Sequence, residues 1–234
     1  MGKENAVMRL AVVEDDRALC AEISGRIRLA GHSCTEFYSG QALRRALQHE
    51  SYDLVVVDQL LADIPADELL GWMRNSLPWS PSVILMTPPP LPDSDATPFN
   101  PADCSVPRAE AVQNIRDHVD AVLHRRFGPA EHSISAEYFG NYVFDSRARQ
   151  LTLAGTAIPI TAKAFDLALL FFRNLGRPLS RGHLTEAVWG RQQPEASRTL
   201  DAHISLIRSR LQLVPENGLR LGSIYRFGYK LERL

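Results

Sequence analysis

The stretch SRTLDAHISLIRSRL, Ser197 to Leu211, decides how the rest of the chain reads. Leu200, Ile204, Ile207 and Leu211 recur at helical spacing, which stacks four apolar side chains on one face. Ser197 stands where an N-cap would. The opposite face carries Arg198, Asp201, Ala202, Ser205 and Ser209, with His203, Arg208 and Arg210 on its flanks. Small residues between cations let a helix lie close to base edges while its margins neutralise phosphates. The same pattern also suits an ordinary amphipathic surface helix, so the choice falls to the flanking sequence.

A chain of 234 residues with 45% hydrophobic content exceeds one average domain and can build two cores. It has no apolar run long enough to span a bilayer, and the start MGKENAVMRL lacks the apolar segment of a signal peptide. A cytoplasmic protein with no membrane partner is expected. Cys20, Cys34 and Cys104 are scattered without metal-ligand spacing and read as buried, reduced thiols. The net charge of −1 conceals a division. Residues 1–127 hold 12 Lys/Arg against 18 Asp/Glu, a net of −6, whereas residues 128–234 hold 14 against 9, a net of +5. The basic half is the candidate for a polyanionic partner. Between the halves, Gly, Pro and Ser without periodicity mark a linker at 128–137, leaving domains at 1–127 and 138–234.

In the first half, apolar runs MRLAVV at 8–13, LVVVD at 54–58 and SVILMT at 82–87 alternate with amphipathic stretches. That order predicts a doubly wound α/β unit with a parallel sheet covered on both faces. Ligands collect at the carboxyl ends of such strands. There Glu14, Asp15 and Asp58 should converge, with Thr87 nearby, and clustered carboxylates call for a hard cation, most simply Mg²⁺.

This half resembles a response-regulator receiver domain, with Glu14 and Asp15 as its acidic pair and Asp58 ending its third strand. The resemblance implies that Asp58 accepts a phosphoryl group from a histidine kinase. It also implies that Mg²⁺ held by Glu14, Asp15 and Asp58 assists, and that Thr87 follows the phosphoryl oxygen as a switch residue. Departures from the family argue against that use. Val106 precedes Pro107 where receivers carry a lysine, and Asp103 takes the place of the aromatic switch. Arg108 comes two residues late and should enter the final helix, with compensation for the lysine as the open alternative. Between Thr87 and Val106, moreover, stand Pro88, Pro89, Pro90, Pro92, Pro98 and Pro101. Each interior proline costs a helix about 3 kcal/mol, so the usual fourth helix should be irregular. The stretch 108–127 closes the domain with Ala111, Ile115, Val119, Val122 and Leu123 on one face.

The second half resembles the α+β winged-helix effector domain of the OmpR/PhoB type. NYVFDSRARQLTLAGTAIPIT suits its antiparallel sheet, with a turn at Ala154-Gly155. Thr161 caps a helix bearing Phe165, Leu169 and Phe172, and Ser180 caps a second helix that ends at Trp189-Gly190. The family pattern RTxDxHI is met by Arg198, Thr199, Asp201, His203 and Ile204. The resemblance implies that Arg198, His203 and Arg208 hold phosphates while Asp201, Ala202, Ser205 and Leu206 face the bases. Leu206 stands where many members have arginine, which predicts weaker guanine readout. Near Gly228-Tyr229, Arg226 is the candidate wing-tip contact in the minor groove.

The expectation is therefore a DNA-binding transcription regulator, not an enzyme, with an atypical receiver that works without phosphorylation and requires no cofactor. The alternative is a conventional switch driven by Mg²⁺-dependent phosphorylation of Asp58. Expected partners are double-stranded DNA and a second copy in a homodimer, with RNA polymerase and a cognate histidine kinase left open.

Overall fold

The computed structural model describes residues 7–89, 102–127, 136–190 and 196–234. The chain divides into two compact units, Met1–Ala130 and Glu131–Leu234.

In the first unit, strands β1 (Arg9–Val13), β2 (Ser33–Phe37), β3 (Leu54–Asp58), β4 (Ser82–Thr87) and β5 (Cys104–Pro107) form one parallel sheet in the order β2-β1-β3-β4-β5. Helices α1 (Arg17–Leu29), α2 (Gly40–Ala46), α3 (Ala66–Ser76) and α4 (Arg108–Phe127) connect and close it. Successive strand residues point to opposite faces. Leu10, Val12, Leu54, Val56, Ile84 and Met86 accordingly pack with Cys20, Ile23 and Ile27 of α1 and Ala111, Ile115, Val119, Val122 and Leu123 of α4. This apolar burial closes the domain as the sequence pattern requires, although α4 carries a non-helical kink at Asn114. Asp16 starts α1 by accepting from Ala18 N and Leu19 N, so the third acid of the run at 14–16 serves the backbone. Cys20 and Cys34 are buried free thiols, whereas Cys104 is only half-buried, against the expectation of burial for all three.

The second unit opens with an antiparallel sheet of β6 (Ala136–Phe139), β7 (Tyr142–Asp145), β8 (Gln150–Leu153) and β9 (Thr156–Ile158). Strand β6 begins inside the stretch read as linker; its pairing with β7, not its own periodicity, makes it a strand. Ala154 and Gly155 take positive φ at the β8–β9 turn, as a two-residue hairpin loop requires. Three helices follow, α5 (Ala162–Arg173), α6 (Arg181–Trp189) and α7 (Ala196–Arg210). They pack with β10 (Pro178–Ser180), β11 (Leu219–Ile224) and β12 (Gly228–Arg233), paired in the order β10-β12-β11. The core joins Phe144, Phe165, Phe171 and Phe172 to Leu200, Ile204, Ile207 and Leu211. Tyr142 fastens its sheet to the end of α7 by donating to Leu211 O at 2.8 Å. Thr161 and Ser180 cap α5 and α6 as expected. Helix α7 already includes Ala196, one residue before the expected cap Ser197, and the side chain of Ser197 and residues 191–195 lie outside the described residues. Pro90, Pro92, Pro98 and Pro101 and most of the 128–137 linker lie outside them as well.

Candidate functional site

At the carboxyl ends of β1 and β3, one oxygen from each of Glu14, Asp15 and Asp58 lies within 4.8 Å of the others. Glu14 and Asp58 are 0% and 1% exposed, whereas Asp15 faces solvent. Half-buried Thr87 ends β4 and pairs with Pro107. The strand ends thus gather the residues that the sequence pattern converged there.

What the pattern did not place is Arg108. It is the first residue of α4, as expected of its late position, yet its guanidinium turns into the acidic group. One terminal nitrogen lies 2.8 Å from Glu14 Oε1 and the other 3.4 Å from Asp58 Oδ2. The signal was legible only as a cation near a proline; that it begins a helix whose first turn overhangs the strand ends is a tertiary fact. Even with this partner, burial and the neighbouring Asp58 charge outweigh Arg108 and the Asp16 amide, and the Glu14 carboxyl is raised to about 7. Asp103, at the switch position, faces elsewhere: it accepts from Val83 N at 2.7 Å and pairs with Arg74.

The second constellation lies on α7 and its supports. Asp201, Ala202, Ser205 and Ser209 are exposed on the face opposite the buried stripe, and so is Thr199 at its start. Leu206 is half-buried against the core, which leaves it less reach than the sequence pattern implied. His203 Nδ1 lies 2.8 Å from Thr199 O, and its ring stands edge-on to Trp189 at 5.2 Å between centroids. Arg208 donates from Nε to Leu221 O at 2.6 Å and its Cζ lies over the Tyr229 ring, so the guanidinium itself is tied to β11 and β12. The side chain of Arg198 lies outside the described residues.

Asp201 is the hub of a network that the sequence did not show. Its Oδ1 accepts from Tyr229 OH at 2.6 Å and from Arg181 at 2.7 Å, joining α7, β12 and the first residue of α6 at one point. The Arg181 hydrogen bond, followed by that from Tyr229, holds the Asp201 carboxyl below its usual range. Gly228 makes this possible, because a Cβ there would collide with the Leu179 carbonyl oxygen. At the β11–β12 tip, Tyr225 is 84% exposed and Arg226, at φ 56°, stacks on its ring.

A parallel-sheet unit with a carboxylate pocket, followed by a winged-helix unit, is the build of a DNA-binding transcription regulator of the response-regulator class. Residues 155–231 match the family model "Transcriptional regulatory protein, C terminal". The chain is 28% identical over 229 residues to the sensory transduction protein RegX3 of Mycobacterium tuberculosis, covering 94% of this chain and 97% of that protein. RegX3 of Mycobacterium leprae is 34% identical over 133 residues, which cover 56% of this chain and 67% of its own length. The crystal structure of the Thermotoga maritima response regulator DrrB, an OmpR/PhoB homologue, aligns at 23% identity and a TM-score of 0.45 over 97% of this chain and 99% of that one. The chain belongs to the OmpR/PhoB-type response regulators. Among the described residues no helix is long and apolar enough to cross a membrane.

Proposed function

We propose that this regulator binds double-stranded DNA through the exposed face of α7 and the β11–β12 tip, and that it does so without phosphorylation of Asp58. The supporting observation is Val106. It is buried at the end of β5, paired with Met86, where a phosphoryl-reading lysine would stand. The only lysine in residues 1–127 is Lys3. A phosphoryl group shifts an equilibrium only through contacts that differ between two states, and here the amine that would make the contact is replaced by a buried isopropyl group.

On the DNA side, the helix presents Thr199, Ala202, Ser205 and Ser209 between cationic margins, the arrangement suited to close approach. The reading includes a homodimer on repeated half-sites, since one short helix reads few base pairs. The apolar stripe of α4 is spent in the core, so a dimer contact through that helix has to use its polar side.

The test compares wild type with Asp58→Asn, each with and without a small phosphodonor and Mg²⁺, by operator binding and sedimentation. All four samples should agree in affinity and in dimer content. A several-fold gain in affinity, or a monomer-to-dimer shift, confined to phosphodonor-treated wild type would restore the conventional switch.

A further inference from the structure

The donor set at the strand ends does not suit a bound Mg²⁺, because a cation built into the chain already stands among its oxygens. We infer that Arg108 is a tethered counter-ion that takes the metal's position in the pocket, excludes divalent cations from it, and fastens the first turn of α4 to the ends of β1 and β3.

The geometry carries this. The Arg108 guanidinium bridges two carboxylates from strands far apart in sequence, at 2.8 Å from Glu14 Oε1 and 3.4 Å from Asp58 Oδ2. A planar guanidinium can serve two carboxylates at once in a way that a hydrated ammonium does less well. Mg²⁺ demands near-octahedral oxygen ligands at about 2.0 to 2.1 Å. Here one oxygen of each buried acid faces a guanidinium nitrogen, and a dication among them would sit within a few ångströms of a fixed positive charge in a poorly solvated place. The tether matters as much as the charge, since a cation held on the first residue of α4 meets the pocket intramolecularly, whereas a dissolved ion has to displace it. Glu14 Oε2 and Asp58 Oδ1 have no hydrogen-bond partner among the described residues. The pocket therefore keeps unspent acceptor capacity that a metal would take up if the guanidinium were removed.

The inference rests on the reading of this pocket given above, but its test uses no phosphodonor, so the two fail separately. The full-length protein is titrated with Mn²⁺, a hard dication whose free aquo ion is counted by electron paramagnetic resonance. Wild type, Arg108→Gln and Arg108→Gln/Asp58→Asn are compared, with circular dichroism as a check on folding. Arg108→Gln should bind Mn²⁺ at least about tenfold more tightly than wild type, a gain in keeping with removal of a like charge a few ångströms away. The double variant should lose that gain. Wild type that binds as tightly as Arg108→Gln, or a gain that survives Asp58→Asn, would overturn the inference. A second measurement needs no substitution: amide hydrogen exchange in the first turn of α4 should be unchanged by millimolar Mn²⁺ in wild type. Acceleration there would mean that the metal displaces Arg108, and exclusion would be wrong.

Discussion

Each unit of this protein holds an arginine against a carboxylate, and the two acids respond in opposite directions. Glu14, 0% exposed, has a guanidinium at 2.8 Å and is nevertheless raised to about 7. Asp201, whose side chain is 54% exposed, has a guanidinium at 2.7 Å and a phenol at 2.6 Å, and is lowered. Pairing chemistry is alike in both; solvation differs. A buried carboxylate must recover its lost hydration from partners, and one arginine shared between Glu14 and Asp58 does not supply enough. On the surface water covers the deficit, so a modest network suffices to favour the ionised form. The pocket is consequently a place of residual electrostatic strain, and the network a place of geometric fixing.

The comparison is most severely tested by removing the support under the network. Gly228→Ala forces a Cβ onto the Leu179 carbonyl oxygen and displaces the strand that delivers Tyr229. Overpacking of this kind costs about 1 to 3 kcal/mol or more, and operator binding should fall by tenfold or more in a mobility-shift titration. If affinity is retained, Tyr229 and Asp201 do not fix the interface.

Next in size is the pH response of the pocket. With a folded value near 7 against an ordinary value of 4.5, ionised Glu14 burdens the native state. The burden is absent at low pH, grows as pH rises from 4.5, and levels off above about 7, where it is on the order of 3 kcal/mol. Glu14→Gln should therefore gain stability relative to wild type across that window and be level with it near pH 4. Urea unfolding in a Trp189→Phe background reads this, because Trp72 and Trp79 then report on the first unit alone. A difference that does not change between pH 5 and pH 8 would remove the claim that burial dominates.

Arg208→Ala should weaken operator and random duplexes alike and lower the salt slope by about one. Its guanidinium Nε also donates to Leu221 O, so some loss of stability should accompany this. Ser205→Ala should instead change the selected sequence, at about 1 to 3 kcal/mol for a base-edge contact. Identical selected motifs from the two variants would end the division of the helix into margin and centre.

The smallest effect is expected at Asp201→Asn, which keeps an acceptor for Tyr229 but gives up the charge facing Arg181. Exposed ion pairs contribute about 0 to 1 kcal/mol, so stability should barely move while the ratio of operator to random affinity falls two- to fivefold. An unchanged ratio would make the network structural only.

The winged-helix unit was the more legible half. Its stripe Leu200, Ile204, Ile207 and Leu211 and its caps at Thr161 and Ser180 each follow from a local rule, and the structure takes them up as those rules require. What stayed hidden there was β6, which has no periodicity of its own, and the attachment of Asp201 to Arg181 and Tyr229, residues 20 and 28 positions away.

The sequence by itself determined that two apolar runs end in acids and a third in Thr87, and that a parallel sheet of such runs brings Glu14, Asp15 and Asp58 to one edge, because parallel strands share their carboxyl ends. It equally determined that a lysine is missing before Pro107. Only the tertiary structure decided what takes that charge's place. Whether Arg108 points to solvent or into the pocket depends on where the first turn of α4 sits over β1 and β3, and that is fixed by Ala111, Ile115 and Val119 packing on α1 and the sheet. Local spacing sets which face of a helix is apolar, whereas the reach of its first side chain is set by the core that the apolar face finds.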